Sequence, residues 1–156
     1  MKRARLIQAA ATLAAAAFIL FIFSNSLQNG EESGNRSQSV LATLQRLFAR
    51  AGLPFAVTEH FIRKAAHFLE YFALGLLLMG ALRAYTPKLK RYCAIPLCLG
   101  FMVACCDEAL QRFVPGRSGQ FSDVLLDFSG VAAGALFLMF FILWKQKRRR
   151  QKRPCS

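Results

Sequence analysis

The sequence predicts an all-α, polytopic membrane fold: four transmembrane helices with an amphipathic helix on the outer side. Three observations predict it. The 156 residues are 55% hydrophobic, with a mean hydropathy of +0.34. Four apolar runs each have roughly the 17–25 residues a helix needs to cross about 30 Å of hydrocarbon. The basic residues behind the formal net charge of +13 are gathered at the ends of those runs. This composition excludes a disordered chain and a disulfide-scaffolded miniprotein. It also argues against a nucleic-acid module, which needs polar surface around its basic patch. The runs lack the apolar–polar alternation of barrel strands.

The first run, Leu6 to Phe23, follows a basic start at Lys2, Arg3 and Arg5. Its 18 residues exceed a signal-peptide core, and no small-x-small cleavage site follows, so an uncleaved anchor is expected. Residues 24–63 form the outer segment. A polar, turn-like stretch from Asn29 to Asn35 is expected first. Val40, Leu41, Leu44, Leu47, Phe48 and Ala51 then recur at helical spacing, and Gly52 and Pro54 end the pattern. This stripe suits an interfacial helix or one packed on the bundle. Thr58 is a fitting N-cap for the second membrane helix, with Glu59 in its first turn.

The second run extends from about Ala65 to Tyr85, the third from about Tyr92 to Leu110, and the fourth from Val124 to Trp144. A basic loop at 86–91 separates the second from the third, and an outer loop at 112–123 separates the third from the fourth. Residues 1–5, 6–144 and 145–156 thus divide into a basic N-terminus, a membrane domain and a basic tail. Fourteen of the 21 Lys and Arg residues, and none of the eight acids, lie in the N-terminus, around the 86–91 loop and in the tail. The positive-inside rule places all three in the cytoplasm, with the chain in the cytoplasmic membrane. Tyr85, Tyr92 and Trp144 fall at that inner boundary, as interfacial aromatics do. The tail, rich in Lys and Arg from Lys145 to Arg153, reads as an anchor to anionic lipid rather than a nucleic-acid site.

Ionisable residues then concentrate at one depth. Arg63, Lys64, His67 and Glu70 occupy the outer turns of the second run, with Arg63, His67 and Glu70 on one face. The third run brings Asp107, Glu108, Gln111 and Arg112 to the same level. The fourth adds Asp123 and Asp127, four apart, and the turn between them carries Pro115, Gly116 and Arg117. A charge at membrane depth costs several kcal/mol unless paired or hydrated, so these groups should face the bundle interior. Some could pair structurally, His67 or Arg63 with Glu70, and Arg117 with Asp123 or Asp127. A polar cleft that binds a ligand is favoured over structure alone. His67, Glu70, Asp107, Glu108, Asp123 and Asp127 are also hard metal ligands, but one His among three cations weighs against a metal. No metal or other cofactor is therefore assigned. Gly130 and Gly134 suit close helix packing within the bundle. His60 is expected to be solvated. Cys93, Cys98, Cys105 and Cys106 read as apolar filler.

Two stretches carry a resemblance. Arg63-Lys64-Ala-Ala-His67-Phe-Leu-Glu70-Tyr71-Phe-Ala-Leu-Gly75 resembles the second-helix signature of the VanZ-like family. Asp107-Glu108-Ala-Leu-Gln111-Arg-Phe113-Val-Pro115-Gly116-Arg117, continued through Asp123 and Asp127 to Gly134, resembles its second signature. Phe23-Ser24-Asn-Ser26 is similar to its pattern after the first helix. The resemblance implies small bacterial multi-pass proteins of the cell envelope, whose namesake is associated with resistance to the glycopeptide teicoplanin. It also implies site roles for Arg63, Lys64, His67, Glu70, Asp107, Glu108, Gln111, Pro115, Gly116, Arg117 and Asp123. Leu110 stands where many members have His, which removes a second acid–base group. At Asp127 relatives often have Asn, which points to a hydrogen-bonding role there.

The leading functional expectation is an extracytoplasmic polar cleft that recognises a lipid or cell-wall headgroup, or a glycopeptide. Arg63, Lys64 and Arg117 would bind anionic groups, and Glu70, Asp107, Glu108 and Asp123 would orient them. An alternative is a membrane-embedded hydrolase or transferase with His67 as general base, oriented by Glu70. A third is a structural or regulatory partner of another membrane protein.

Overall fold

The computed structural model describes residues 2–28, 30–52, 57–117 and 119–151, and among these every regular element is a helix. The order is α1 (Lys2–Ser26), α2 (Gly30–Arg50), α3 (Glu59–Tyr85), α4 (Leu89–Tyr92), α5 (Ala94–Gln111) and α6 (Phe121–Gln151). Four helical stretches among the described residues are long and apolar enough to cross a membrane: α1, α3, the joined α4–α5 and most of α6. Their outward surface is apolar. Leu69 is 62% exposed and Phe140 70%, as befits side chains facing lipid rather than water. This is the architecture of a multi-pass membrane protein.

Local chemistry sets the helix ends. The Thr58 side chain accepts a hydrogen bond from the Phe61 amide, capping α3. At its other end Thr86 is extended, as a residue before proline tends to be, and Pro87 cannot continue the helix. Pro96 explains the break between α4 and α5. It has no N–H to offer the Tyr92 carbonyl, four residues back, and so is tolerated only in the first turn of a new helix. Gly52, at φ 67°, ends α2 in the left-handed region that favours glycine. Pro54 lies outside the described residues.

The expectation of a turn is corrected over Gly30–Asn35, where α2 is already helical, while Asn29 lies outside the described residues. Gly34 and Asn35 are weak helix formers, but propensity is a weak prior against packing. The Gln38 amide donates to Glu59 Oε2 (3.2 Å), Ser37 is buried, and Ser39 bonds back to the Asn35 carbonyl. The start of α2 is thus held against the start of α3. The stripe residues Val40 and Leu47 stay exposed.

α3 is the hub, packing on α1, α2, α5 and α6. Its tightest partner is α6, where glycines let backbones meet. A Cβ at Gly75 would collide with the Val131 carbonyl, and one at Gly130 or Gly134 with the carbonyls of Phe68 or Phe72. Tyr71, Leu74, Leu78, Ala104 and Val131 form the buried centre. α1 is more peripheral; Ala15, Ile22 and Ser26 are its buried residues. Polar clasps secure both its ends. Gln8 Nε2 donates to the Ala84 carbonyl (3.2 Å), and the Thr12 and Tyr85 hydroxyls share a 2.9 Å bond. An apolar groove of about 410 Å³, lined by α1, α3 and α5, lies beside that clasp. Near this end, Arg91 lies over Tyr92 and Arg148 over Trp144, the latter 4.2 Å from the ring centre.

Candidate functional site

The opposite end of the bundle is polar. There α5 closes with Phe113 and Val114 bonded back to Leu110 and Gln111. The Arg117 amide then bonds to the Val114 carbonyl across Pro115 and Gly116, whose φ of 77° gives the pattern of a type II turn. This turn brings Arg117 back over the helix ends, where its Nη2 donates to the Asn25 carbonyl at 3.4 Å. Burial, more than the neighbouring Arg63, pulls the Arg117 pKa below the usual arginine value.

A cavity of about 100 Å³ opens here, lined on its cationic side by Arg63, Lys64 and Arg117, and deeper by His67, Glu108 and Asp127. A second, of about 130 Å³, lies between Asn25, Arg36, Arg63, Glu70 and Arg117. The ion pair at the rim is Lys64 with Asp123, at 3.0 Å, both about one third exposed. Glu70 accepts from Asn25 Nδ2 at 3.0 Å. Neither pairing expected for Glu70 forms, and Arg117 meets a backbone carbonyl rather than Asp123 or Asp127. The His67–Glu70 arrangement expected of a general base is likewise not formed, because His67 Nδ1 has no partner among the described residues. His60 is exposed, yet it accepts from Arg63 Nη2 at 3.3 Å and lines the first cavity.

Beneath the cavity the groups are buried. Asp107 and Asp127 are 0% and 1% exposed. Ser26 Oγ donates to Asp107 Oδ2 at 2.8 Å, and Gln111 Nε2 donates to the same oxygen at 3.1 Å. Glu108 Oε1 accepts from the Gln120 amide and so anchors the chain just before α6. That leaves Asp107 Oδ1, Glu108 Oε2, Asp127 Oδ1 and His67 Nδ1 buried without a well-formed hydrogen bond among the described residues, and the buried Tyr71 hydroxyl beside the Asp107 carboxyl. His67 from α3, Asp107 from α5 and Asp127 from α6 converge, offering one ligand atom each, all within 4.8 Å of one another.

The structure thus gathers Arg63, Lys64, His67, Glu70, Asp107, Glu108, Gln111, Arg117, Asp123 and Asp127 at one end, in two layers. Arg63, Lys64, Arg117 and Asp123 form the rim. His67, Asp107, Glu108, Gln111 and Asp127 form the floor, with Glu70 to the side. Pro115 and Gly116 shape the turn, while Gly130 and Gly134 lie lower, against α3. Ser26, Asn25 and Tyr71 were not singled out as site residues. Each stands within a stretch that carries the family resemblance, and that was their available signal.

Comparison with curated proteins gives no match, and neither does comparison with solved structures. The family model described as VanZ/LLP1 matches residues 10–144, which includes all four membrane-spanning stretches in whole or in large part. By that match the chain belongs to the VanZ/LLP1 family.

Proposed function

We propose that this VanZ-like protein recognises the anionic headgroup of a lipid or lipid-linked cell-wall intermediate at the outer face of the cytoplasmic membrane. The observation that carries the reading is the cavity of about 100 Å³ rimmed by Arg63, Lys64 and Arg117. Asp123 pairs with Lys64, while the other two cations meet a His60 nitrogen and a backbone carbonyl rather than an acid. Guanidinium groups suit the planar oxygens of a phosphate or carboxylate. The cavity lies where helices leave the bilayer, so a headgroup can enter while its chains stay in lipid. In this reading both termini and the 86–91 loop are cytoplasmic. Their concentration of basic residues supports that orientation. The glycopeptide susceptibility implied by the family's namesake would follow from occupancy of the same cleft.

Native mass spectrometry of the protein with its co-purified lipid tests the reading. A retained anionic lipid is expected, lost on Arg63→Ala/Arg117→Ala substitution. Equal lipid retention by wild type and variant would overturn it. Orientation is checked by placing one cysteine at Arg117 in a chain whose native cysteines are replaced. Labelling by a membrane-impermeant maleimide in intact cells is expected, and labelling only after lysis would reverse the topology.

A further inference from the structure

We propose that His67, Asp107 and Asp127 bind a divalent transition-metal ion at the floor of the cleft. The donor set comes from three separate helices and consists of one imidazole and two carboxylates whose ligand atoms lie within 4.8 Å of one another. Ligand atoms around a tetrahedral zinc-class ion stand about 3.4 Å apart, so side-chain rotations that bring them together by about 1 Å or a little more close the set.

A second observation points the same way. His67 Nδ1, Asp107 Oδ1 and Asp127 Oδ1 are all buried, and none has a well-formed hydrogen bond among the described residues. Buried polar atoms are rarely left so. All three belong to the residues whose ligand atoms converge, where a shared cation would satisfy them together. Two carboxylates buried side by side also repel unless a positive charge lies between them. The nearby cations do not fill that role: Lys64 is engaged by Asp123, and Arg117 bonds to the Asn25 carbonyl.

The surroundings fit as well. Metal-binding carboxylates are usually held by hydrogen bonds on their remaining oxygen. Asp107 has this arrangement: Ser26 and Gln111 both donate to Oδ2 and leave Oδ1 open. The Tyr71 hydroxyl, buried on α3 one turn after His67, lies beside the Asp107 carboxyl and adds an oxygen nearby. One nitrogen and two oxygens suit zinc or manganese better than calcium or magnesium. Three protein ligands leave a further position open, and His67 and Asp127 both line the cavity above. The site does not depend on the headgroup reading; a metal could sit here whatever the cleft admits.

The test is metal binding by the full chain, purified in detergent with a tag that contains no histidine. After chelation and desalting, the protein is titrated separately with Zn²⁺, Mn²⁺ and Mg²⁺, and retained metal is counted by mass spectrometry. One Zn²⁺ or Mn²⁺ per chain is expected, with weaker Mg²⁺ binding. Ser26→Ala should weaken affinity by about 10–100-fold, as loss of an outer-shell partner does. His67→Ala and Asp127→Asn should abolish retention, and Arg117→Ala should keep it. Cobalt(II) titration of the wild type gives a readout that needs no variant to fold: a visible absorption band showing nitrogen and oxygen ligation. Absence of stoichiometric binding by any of these ions overturns the proposal. So does binding that survives both His67→Ala and Asp127→Asn. An infrared band of a protonated Asp127 carboxyl that metal does not remove would show that the pair shares a proton instead.

Discussion

Replacing Gly134 with alanine tests the α3–α6 contact on which the site is built. A Cβ at this position would collide with the Phe72 carbonyl oxygen, and would stand 3.0 Å from that carbonyl's carbon and 3.1 Å from the Leu76 amide nitrogen. These are backbone atoms, so no side-chain rotation relieves the clash. Carbon–oxygen contacts ordinarily begin at about 3.3 Å, so the helices must part by about 1 Å. Overpacking of this kind costs about 1–3 kcal/mol. Alanine also favours the helix by up to about 1 kcal/mol over glycine, which opposes the loss. Gly80 provides the control, because its Cβ would meet only Leu138 Cδ2, at 3.8 Å. Both variants share the propensity gain, so the difference between them isolates the steric cost, about 1–3 kcal/mol. The assay is reversible unfolding in mixed micelles as denaturing detergent is raised, followed by circular dichroism. Gly134→Ala should unfold earlier than wild type, and Gly80→Ala at the same point or later. Equal midpoints for the two variants would refute the close approach of α3 and α6.

Other consequences can be measured in the same micelles. Ser26→Ala removes a donor to the buried Asp107 carboxyl and an acceptor for Gln111 Nε2, and should cost about 1–3 kcal/mol, the usual range for leaving a buried polar group unsatisfied. A loss no larger than that of an exposed serine would place Ser26 outside the network. The Lys64–Asp123 pair, a third exposed on both sides, should show a coupling of at most about 1 kcal/mol in a double-mutant cycle. Coupling of several kcal/mol would mean that the pair is buried. Gly116→Ala forces a side chain into the left-handed region at φ 77° and should cost about 1–2 kcal/mol. It should also reduce retention of anionic lipid by displacing Arg117; unchanged retention would separate the turn from binding.

The membrane spans were legible because hydrocarbon imposes a length that few soluble helices meet with so little charge. The cap at Thr58 and the stop at Gly52 were legible because each acts within one turn of the chain. The start of α2 was not: Asn29–Asn35 is turn-like by composition, and the packing of α2 on α3, with Ser37 buried and Gln38 bonded to Glu59, favours the helix there. The depth of the polar residues followed from counting along each run. Their pairing did not. Spacing puts Glu70 on the face of His67, but it cannot say that Asn25 from another helix takes the carboxylate first. Ser26 at the end of an apolar helix looks like a residue meeting water. Its buried bond to Asp107, 81 residues away, emerges only when α1 and α5 pack.

The sparse burial of α1 has a consequence in time. Ser26 leaves the ribosome 81 residues before its partner Asp107, a delay of about 4–16 s at ordinary rates of synthesis. Gln8 and Thr12 wait for Ala84 and Tyr85 almost as long. Until α3 has followed it, α1 has no partner helix to pack on and must be stable in lipid alone. Its mostly apolar surface serves that solitary stage, and the few polar residues near its ends are what later tell it where to dock.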